Sequence, residues 1–234
     1  MLILAKYRVL NSILGINPLY GFFVKTLAMQ SSEHYQKFGF NYFNYYEFGT
    51  GEGNSLKTFI SALKYHCKIS RIPLTKYNIF AFDSFEGLPE YRGSKDYNPS
   101  WRKGQFYGSE EMIDNIVRKS KFNGQFFKIK GYYQNSLTKK LQKKLKKFPP
   151  SIVNIDVDYY TSAKLTLNFL APILQDGTMF YFDDIYEYLG NQNKGEVKAM
   201  KEFEEKYGIS MMPYYQHGIP TIFGKTFIFN RNKT

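Results

Sequence analysis

The sequence predicts a single α/β domain with a mostly parallel sheet and helices on both faces. Short apolar or aromatic runs of strand length alternate with amphipathic stretches of helix length along most of the 234 residues. Such alternation is typical of a parallel sheet, because each connection between parallel strands must cross one of its faces. Two further runs of strand length follow the last predicted helix, and they extend the expected sheet to seven strands. We find no internal repeat and no strong domain boundary.

The stretch from Asn41 to Ser55, NYFNYYEFGTGEGNS, is the one beside which the other strand–helix units are expected to be built. Its aromatic first half predicts a buried strand at about 42–48. Three glycines, Gly49, Gly51 and Gly53, then break the strand, and Asn54 or Ser55 is expected to cap the following helix. Glycines let the backbone approach a ligand, and a helix start offers free N–H groups to an anion. The unit therefore favours a nucleotide-like ligand.

The same stretch disfavours two classes of enzyme. Asn54 stands where the third glycine of G-x-G-x-x-G would be, which disfavours a nicotinamide-dependent enzyme. The G-K-[ST] of a phosphate loop is absent, which disfavours nucleotide hydrolysis.

The rest of the chain shows further helix, strand and loop patterns. We expect one or two helices in residues 1–30, and a functional loop over Tyr91–Gly108, which is rich in Gly, Pro, Asn and Tyr. Ser109 is expected to cap a helix. The other expected strands and helices are a strand at 78–82, a strand at 125–130, a helix at about 137–147, a strand at 151–156, a helix at 162–174, a strand at 178–182, a helix at 196–207, and strands at about 210–215 and 226–229.

Composition bounds the partners and the compartment. The 32 Lys and Arg against 20 Asp and Glu give a net charge of +12, which favours anionic partners such as phosphates, nucleotides, nucleic acid or an acidic membrane surface. Six lysines lie in Lys139–Lys147, which we interpret as a solvated helix face. The single cysteine, Cys67, allows no intrachain disulfide, so the default location is the cytoplasm.

The N-terminal segment, residues 1–40, is expected to be helical. It lacks a signal-peptide cleavage pattern and has no run near the ~20 apolar residues that span a bilayer. Its apolar residues and scattered bases allow three roles: a helix docked on the core, a lid over the acceptor site, or an interfacial helix that makes a peripheral membrane-surface contact.

Carboxylates follow several of the predicted strands. In an open α/β sheet, ligands bind at the carboxyl ends of the strands. Asp83, after the second strand, is placed to bind ribose hydroxyls, and the alternative is a simple turn cap. Asp156, Asp183 and Asp184 end two strands that should be neighbours, and hard oxygen ligands without Cys or His favour Mg²⁺, Mn²⁺ or Ca²⁺. The alternative is that each acid caps a turn. Asp158 is either a supporting residue or the base.

Several motifs together resemble one family. YYEFGTGEGNS, FDSFEGLPE, KGQFYGSEEMI, IKGYYQNSL and NIDVDYYTSAKLTLNFLAPILQDGTMFYFDD resemble, in order, motifs of macrocin O-methyltransferase-like enzymes, over about residues 41–230. The chain departs from the D-G-D-x-Y-E-S-T pattern of that family, with Val157 in place of glycine and no glutamate. The resemblance implies a single Rossmann-like class I methyltransferase domain at 41–234, which transfers methyl groups from S-adenosylmethionine to a sugar hydroxyl with the help of Mg²⁺.

The resemblance also implies roles for individual residues. The cofactor would be bound by Glu47, Gly49, Thr50, Gly51 and Ser55 around its methionine part, by Asp83, Ser84 and Phe85 at the ribose, and by Tyr133 and Gln134 near the adenine. Mg²⁺ would be bound by Asp156, Asp183 and Asp184. The general base would be Asp156 or Asp158.

Two other functions stay open from the sequence. The pI of about 9.4 is compatible with a nucleic-acid methyltransferase of the same fold. Enzymes of that kind place an [ND]-P-P-[YF] loop after the fourth strand, whereas Pro149-Pro150 precedes it here, so no nucleic acid is expected as a partner. The other alternative is a non-catalytic protein that keeps the nucleotide site. The expected partner is a sugar-containing acceptor, for which the basic surface suits a phosphate-linked carrier, and a homodimer is left open.

Overall fold

The computed structural model of the chain describes residues 18–214 and 224–231. The strands are β1 Asn44–Phe48, β2 Asn78–Asp83, β3 Gln125–Lys130, β4 Ile152–Ile155, β5 Met179–Phe182, β6 Ser210–Pro213 and β7 Lys225–Asn230. The helices are α1 Pro18–Gln30, α2 Glu33–Gln36, α3 Asn54–Ser70, α4 Glu110–Ser120, α5 Tyr133–Ser136, α6 Lys139–Leu145, α7 Tyr160–Leu170 and α8 Gly195–Tyr207. A short 3₁₀ turn covers Leu74–Lys76.

The seven strands form one sheet in the order β3-β2-β1-β4-β5-β7-β6. The first five pair in parallel, and β7 runs antiparallel to both of its neighbours. The chain fills the sheet outward from β1 in one direction and then returns to add β4 on the other side. The order therefore reverses between β1 and β4, where open α/β sheets place their ligands. The predicted seven-stranded, mostly parallel sheet is confirmed.

The central strands are buried along their whole length. Every residue of β1, β4 and β5 is buried, including the polar Asn44, Glu47 and Asn154, as is typical of parallel strands covered on both faces. One face packs on α1, α3 and α4, with Phe59 of α3 stacked on Tyr45 at a ring separation of 3.8 Å. The other face packs on α6, α7 and α8. The prediction of helices on both faces is confirmed.

Helix α1 belongs to the core of the first face. Phe23 is fully buried, and its ring makes edge contacts with Tyr45 at 5.7 Å and Phe59 at 5.2 Å. The Gln30 amide at the end of α1 donates to the carbonyl of Ser151, at 2.8 Å. The rest of the N-terminal segment, residues 1–17, lies outside the described residues. None of the described helices is long and apolar enough to cross a membrane.

Two local predictions were wrong, and the interpretation of the lysine-rich stretch as a solvated helix face is confirmed. Neither Asn54 nor Ser55 caps α3; the cap residue is Gly53 in a left-handed conformation, because the Ser55 hydroxyl donates to Glu47 instead. Helix α7 begins and ends earlier than the predicted 162–174, and residues after Leu170 form turns. The lysines of Lys139–Lys147 are exposed, and Cys67 is a buried free thiol.

Phe23→Ala should destabilise the protein by about 3–4 kcal/mol, because it removes a fully buried ring from between two aromatic partners. The measurement is urea unfolding. Phe38→Ala is the matched control, since Phe38 is 79% exposed and its removal should change the free energy of unfolding by less than about 0.5 kcal/mol. An equal, small effect of both substitutions would contradict the placement of α1 in the core.

Candidate active site

The tips of β1 and β4 touch at Gly49. A Cβ atom on Gly49 would lie 1.6 Å from the carbonyl oxygen of Asp156, and the residue has a φ of +82°. Only glycine fits this position, because any side chain would overlap the neighbouring backbone. The contact brings the glycine turn after β1 directly beside the acids that follow β4. The two candidate subsites predicted from the sequence therefore form one continuous region.

Glu47, the last polar side chain of β1, is fully buried. Its Oε1 accepts a short hydrogen bond from the Ser55 hydroxyl of α3, while Oε2 has no hydrogen-bond partner among the described residues. Burial raises the pKa of Glu47 from 4.5 to about 8, although the hydrogen bond from Ser55 acts in the opposite direction. The Thr50 hydroxyl, in the glycine turn, is buried and also lacks a partner within the described ranges. These unpaired polar atoms leave hydrogen-bonding capacity for a bound ligand.

Asp83 ends β2 and faces the glycine turn. Its Oδ2 accepts from the backbone N–H of Gly51 at 2.8 Å, and its Oδ1 accepts from that of Phe85 at 2.7 Å. Burial raises the pKa of Asp83, and these backbone hydrogen bonds partly offset the effect. The carboxylate thus caps the turn at Phe85, as the alternative reading of the sequence proposed. Each oxygen keeps an acceptor position, so ribose recognition is also compatible with this geometry.

The other expected cofactor residues lie around the same edge of the sheet. Ser84 and Phe85 are buried in the turn after Asp83. Tyr133, at the start of α5, donates its hydroxyl to the carbonyl of Phe82 at 3.3 Å, and Gln134 beside it is exposed.

Three carboxylates converge after β4 and β5. Asp156, Asp158 and Asp184 each place one oxygen so that the three atoms lie within 4.8 Å of one another. Two of them belong to the predicted metal set. Asp158, which the sequence offered as a supporting residue or base, is the third member of the cluster. Asp183, the remaining predicted ligand, follows β5 directly, and its Oδ1 accepts from the Tyr181 hydroxyl at 2.5 Å.

The cluster is electrostatically unfavourable for ionised acids. Burial, followed by repulsion from Asp183, raises the pKa of Asp158 to about 8. The same two causes raise the pKa of Asp156 well above its usual range, and burial with repulsion from Asp158 does so for Asp184. The Asp184 Oδ2 has no hydrogen-bond partner among the described residues. A divalent cation would offset this repulsion and complete the oxygen's coordination, so the donor set fits Mg²⁺ or a similar hard ion.

Glu196 supports the cluster from α8, and sequence reasoning missed it. The side chain is fully buried; its Oε1 accepts from the N–H of Val157 at 3.4 Å and its Oε2 from that of Asp184 at 3.1 Å. One carboxylate therefore links the segments that carry Asp156, Asp158 and Asp184. The sequence contained only an acid in the first turn of a helix, which is a common dipole-stabilising position and gave no signal of this role.

A long segment between β2 and α4, residues 84–109, covers part of the site; we call it the covering loop. At one end, a Cβ on Gly108 would lie 1.7 Å from the carbonyl oxygen of Gly51, so the loop packs directly on the glycine turn. Near its middle, the Trp101 ring contacts Tyr159 at 5.6 Å and Tyr188 at 5.5 Å. Trp101 is only 9% exposed, so it is a packing residue of the loop and not an open stacking platform.

Gly49→Ala should lower the free energy of unfolding by about 3 kcal/mol or more, because the new methyl group overlaps the Asp156 carbonyl and the tips of β1 and β4 must separate. Gly190→Ala is the control. Gly190 also has a positive φ, of +74°, but has open space around it, so this substitution should cost only the backbone term of about 1 kcal/mol. Thermal unfolding of both variants separates the cost of the close contact from the cost of a side chain at positive φ. Equal losses of stability would contradict the predicted overlap with the Asp156 carbonyl.

Glu47→Gln should change how stability depends on pH in the metal-free protein. The pKa of Glu47 is raised from 4.5 to about 8, so the folded chain binds more protons than the unfolded chain between these values. The full free energy of unfolding is therefore present below the unfolded-state pKa of 4.5. It decreases as the pH rises toward the folded-state pKa of about 8, because only the unfolded chain releases the Glu47 proton in this range.

Glutamine keeps the acceptor for Ser55 and does not ionise. The variant should match the wild type near pH 4.5 and exceed its free energy of unfolding by about 1–3 kcal/mol at pH 8. Glu205→Gln, at an exposed position of α8, should leave the pH dependence unchanged. Urea unfolding across this pH range is the measurement, and parallel curves for wild type and Glu47→Gln would refute the burial of an ionisable group.

Solved structures of known proteins share the fold of this chain. The O-methyltransferase NovP has a similar structure, with a TM-score of 0.65 at 16% identity, covering 90% of this chain and 79% of that one. The calicheamicin methyltransferase CalS11 gives 0.62 at 16%, covering 86% and 77%. An O-methyltransferase from Bacillus cereus, in complex with SAH, gives 0.51 at 13%, covering 90% and 78%.

The family of the chain is shown by comparison of its sequence with family models. A search of curated proteins found no match. At the identities given above, the structural neighbours show the fold alone. Residues 46–185, more than half of the chain, match a family described as a methyltransferase domain. The protein therefore belongs to this methyltransferase-domain family.

Proposed function

We propose that this protein is an O-methyltransferase that uses S-adenosylmethionine and Mg²⁺ to methylate a sugar hydroxyl, as its resemblance to the macrocin O-methyltransferase-like enzymes implies. The observation that carries the proposal is the convergence of Asp156, Asp158 and Asp184 immediately beside the glycine turn, across the contact between Gly49 and Asp156. A carboxylate cluster at this place supplies both metal ligands and a proton acceptor next to the cofactor site.

The cofactor would lie over the glycine turn. S-adenosylmethionine supplies a methyl group on a positively charged sulfur, which becomes a neutral thioether once the methyl group is transferred. The buried Glu47 oxygen and the Thr50 hydroxyl, both unpaired within the described residues, would face its methionine part. Asp83, held by two backbone N–H groups, would present its remaining acceptor positions to the ribose. Tyr133 and Gln134 are retained as the candidate residues near the adenine.

The metal would lie among the carboxylates. Bound Mg²⁺ supplies a Lewis acid that lowers the pKa of a coordinated hydroxyl. Asp156, Asp158 and Asp184 would hold it, with Asp183 adjacent and oriented by Tyr181. Asp156 or Asp158 accepts the hydroxyl proton, because each has an oxygen in the cluster where the reacting hydroxyl must lie. Glu196 fixes the backbone of both ligand-bearing segments.

The acceptor would lie beside exposed aromatic side chains. Tyr91 and Tyr97 of the covering loop are 45% and 46% exposed, and Tyr186, after the cluster, is 44% exposed. Such rings offer flat apolar faces to a sugar. A sugar acceptor is further supported by CalS11, of which a second structure is described as a TDP-rhamnose 3′-O-methyltransferase. We assign residues 41–234 to the catalytic domain, on whose core α1 packs.

The proposal is tested by calorimetric titration with S-adenosylmethionine and, separately, with Mg²⁺. Asp83→Asn should weaken cofactor binding by about tenfold, since it removes a charged hydrogen-bond acceptor. Asp184→Asn should keep cofactor binding and lose Mg²⁺ binding, because it removes one of three carboxylate ligands.

Asp114→Asn is the matched control, since Asp114 is an exposed acid of α4 that pairs with Lys128. It should bind both ligands as the wild type does. Cofactor binding without any Mg²⁺ binding would refute the metal-dependent mechanism alone. A wild-type protein that binds neither ligand would refute the methyl-transfer proposal as a whole.

A further inference from the structure

We propose that Asp96 of the covering loop is a positioning residue that holds the Asp156–Asp158 turn in its metal-binding shape. Sequence reasoning gave Asp96 no role. The catalytic importance of Asp96 rests on the proposed function. The contacts by which Asp96 fixes the turn are structural, and their effect can be measured without turnover.

Asp96 is 1% exposed although it lies in the middle of a long loop. Its Oδ1 accepts from the backbone N–H of Thr161 at 2.8 Å, and its Oδ2 accepts from the Thr161 hydroxyl at 2.7 Å. Oδ2 also accepts from the N–H of Arg92 at 2.8 Å. Thr161 is the second residue of α7, and the helix has no side-chain cap of its own from Tyr159. The loop therefore supplies, from outside, the cap that the start of α7 lacks.

The turn that precedes α7 needs such support. Asp158 has a φ of +60°, which is unfavourable for a residue with a side chain. The N–H of Tyr159 donates to the carbonyl of Val157 at 2.6 Å, which closes a three-residue γ-turn around Asp158. A turn of this kind persists only where its surroundings fix it. Glu196 contacts its beginning at Val157, and Asp96 contacts Thr161, two residues after its end at Tyr159.

Asp96 also reaches the second segment that bears the acids. Its carbonyl oxygen accepts from the Tyr188 hydroxyl at 2.9 Å, and the carbonyl of its neighbour Lys95 accepts from the N–H of Gly195 at 3.1 Å. Tyr188 follows Asp184 by four residues, and Gly195 begins α8 next to Glu196. The covering loop thus connects the segments after β4 and β5. Loss of the Asp96 side chain should loosen the start of α7 and the turn before it, while the backbone contacts to Tyr188 and Gly195 remain.

The variants are Asp96→Ala, which removes all three side-chain acceptor contacts, and Asp96→Asn, which keeps one acceptor oxygen. Thr161→Val removes only the hydroxyl donor and leaves the backbone N–H. Thr138→Ala is the matched control, because the Thr138 hydroxyl accepts from the N–H of Leu141 and caps α6, away from the acids. Hydrogen–deuterium exchange of residues 156–163, the Kd for Mn²⁺, and the Kd for S-adenosylmethionine are measured well below the melting temperature of each variant.

We expect faster exchange at 156–163 and about tenfold weaker Mn²⁺ binding in Asp96→Ala, with smaller changes in Asp96→Asn and Thr161→Val. Cofactor affinity should stay within about twofold of wild type, because Asp83 and the glycine turn do not contact Asp96. Thr138→Ala should lower only the melting temperature. Cofactor affinity that falls together with Mn²⁺ affinity would indicate general loosening and overturn the inference.

Unchanged exchange at 156–163, or unchanged Mn²⁺ affinity with a lower melting temperature, would equally overturn it and leave Asp96 a purely structural residue. Failure of the proposed function looks different. A wild-type protein that binds no Mn²⁺ refutes the metal site, and the exchange measurement still decides whether Asp96 holds the turn.

Discussion

Buried carboxyl groups at the carboxyl edge of the sheet are the constraint on which the site depends. Within the described residues, Asp156, Asp158 and Asp184 form no ion pair with a lysine or arginine, although the chain carries a net charge of +12. Acids confined in this way are costly unless they are protonated or compensated. The proposed metal ion would supply the compensating charge when bound, and protonation relieves the repulsion in its absence.

Backbone groups provide the remaining stabilisation. Asp83 is held by the N–H groups of Gly51 and Phe85, and Glu196 by those of Val157 and Asp184. Such hydrogen bonds fix a carboxylate without neutralising its charge. They also make each acid a link between two chain segments, so that the glycine turn is tied to β2 and the β4 tip is tied to the β5 tip. The geometry of the site thus depends on a network of acids, of which only some face the ligands.

Some features of the site follow from local sequence patterns, whereas others depend on contacts made across the fold. The strands and the acids at their tips follow from local patterns, because buried parallel strands are short runs rich in apolar and aromatic residues and their ends align at one edge of the sheet. The convergence of Asp158 with Asp156 does not follow, since it depends on a positive φ within a three-residue turn. Nor do the roles of Glu196 and Asp96, which act across the fold. The cap of α3 was mispredicted for the same reason: burial of Glu47 redirects the Ser55 hydroxyl.

The covering loop contacts both the glycine turn and the segments that bear the acids. Gly108 packs against Gly51 on the cofactor side, whereas Asp96 and Trp101 contact the segments after β4 and β5 on the acid side. The loop therefore contacts both the cofactor side and the acid side of the site. The two halves of a methyl-transfer site must keep a fixed separation, because the reaction depends on the alignment of donor and acceptor. A single well-packed loop that contacts both halves is a direct way to keep that separation.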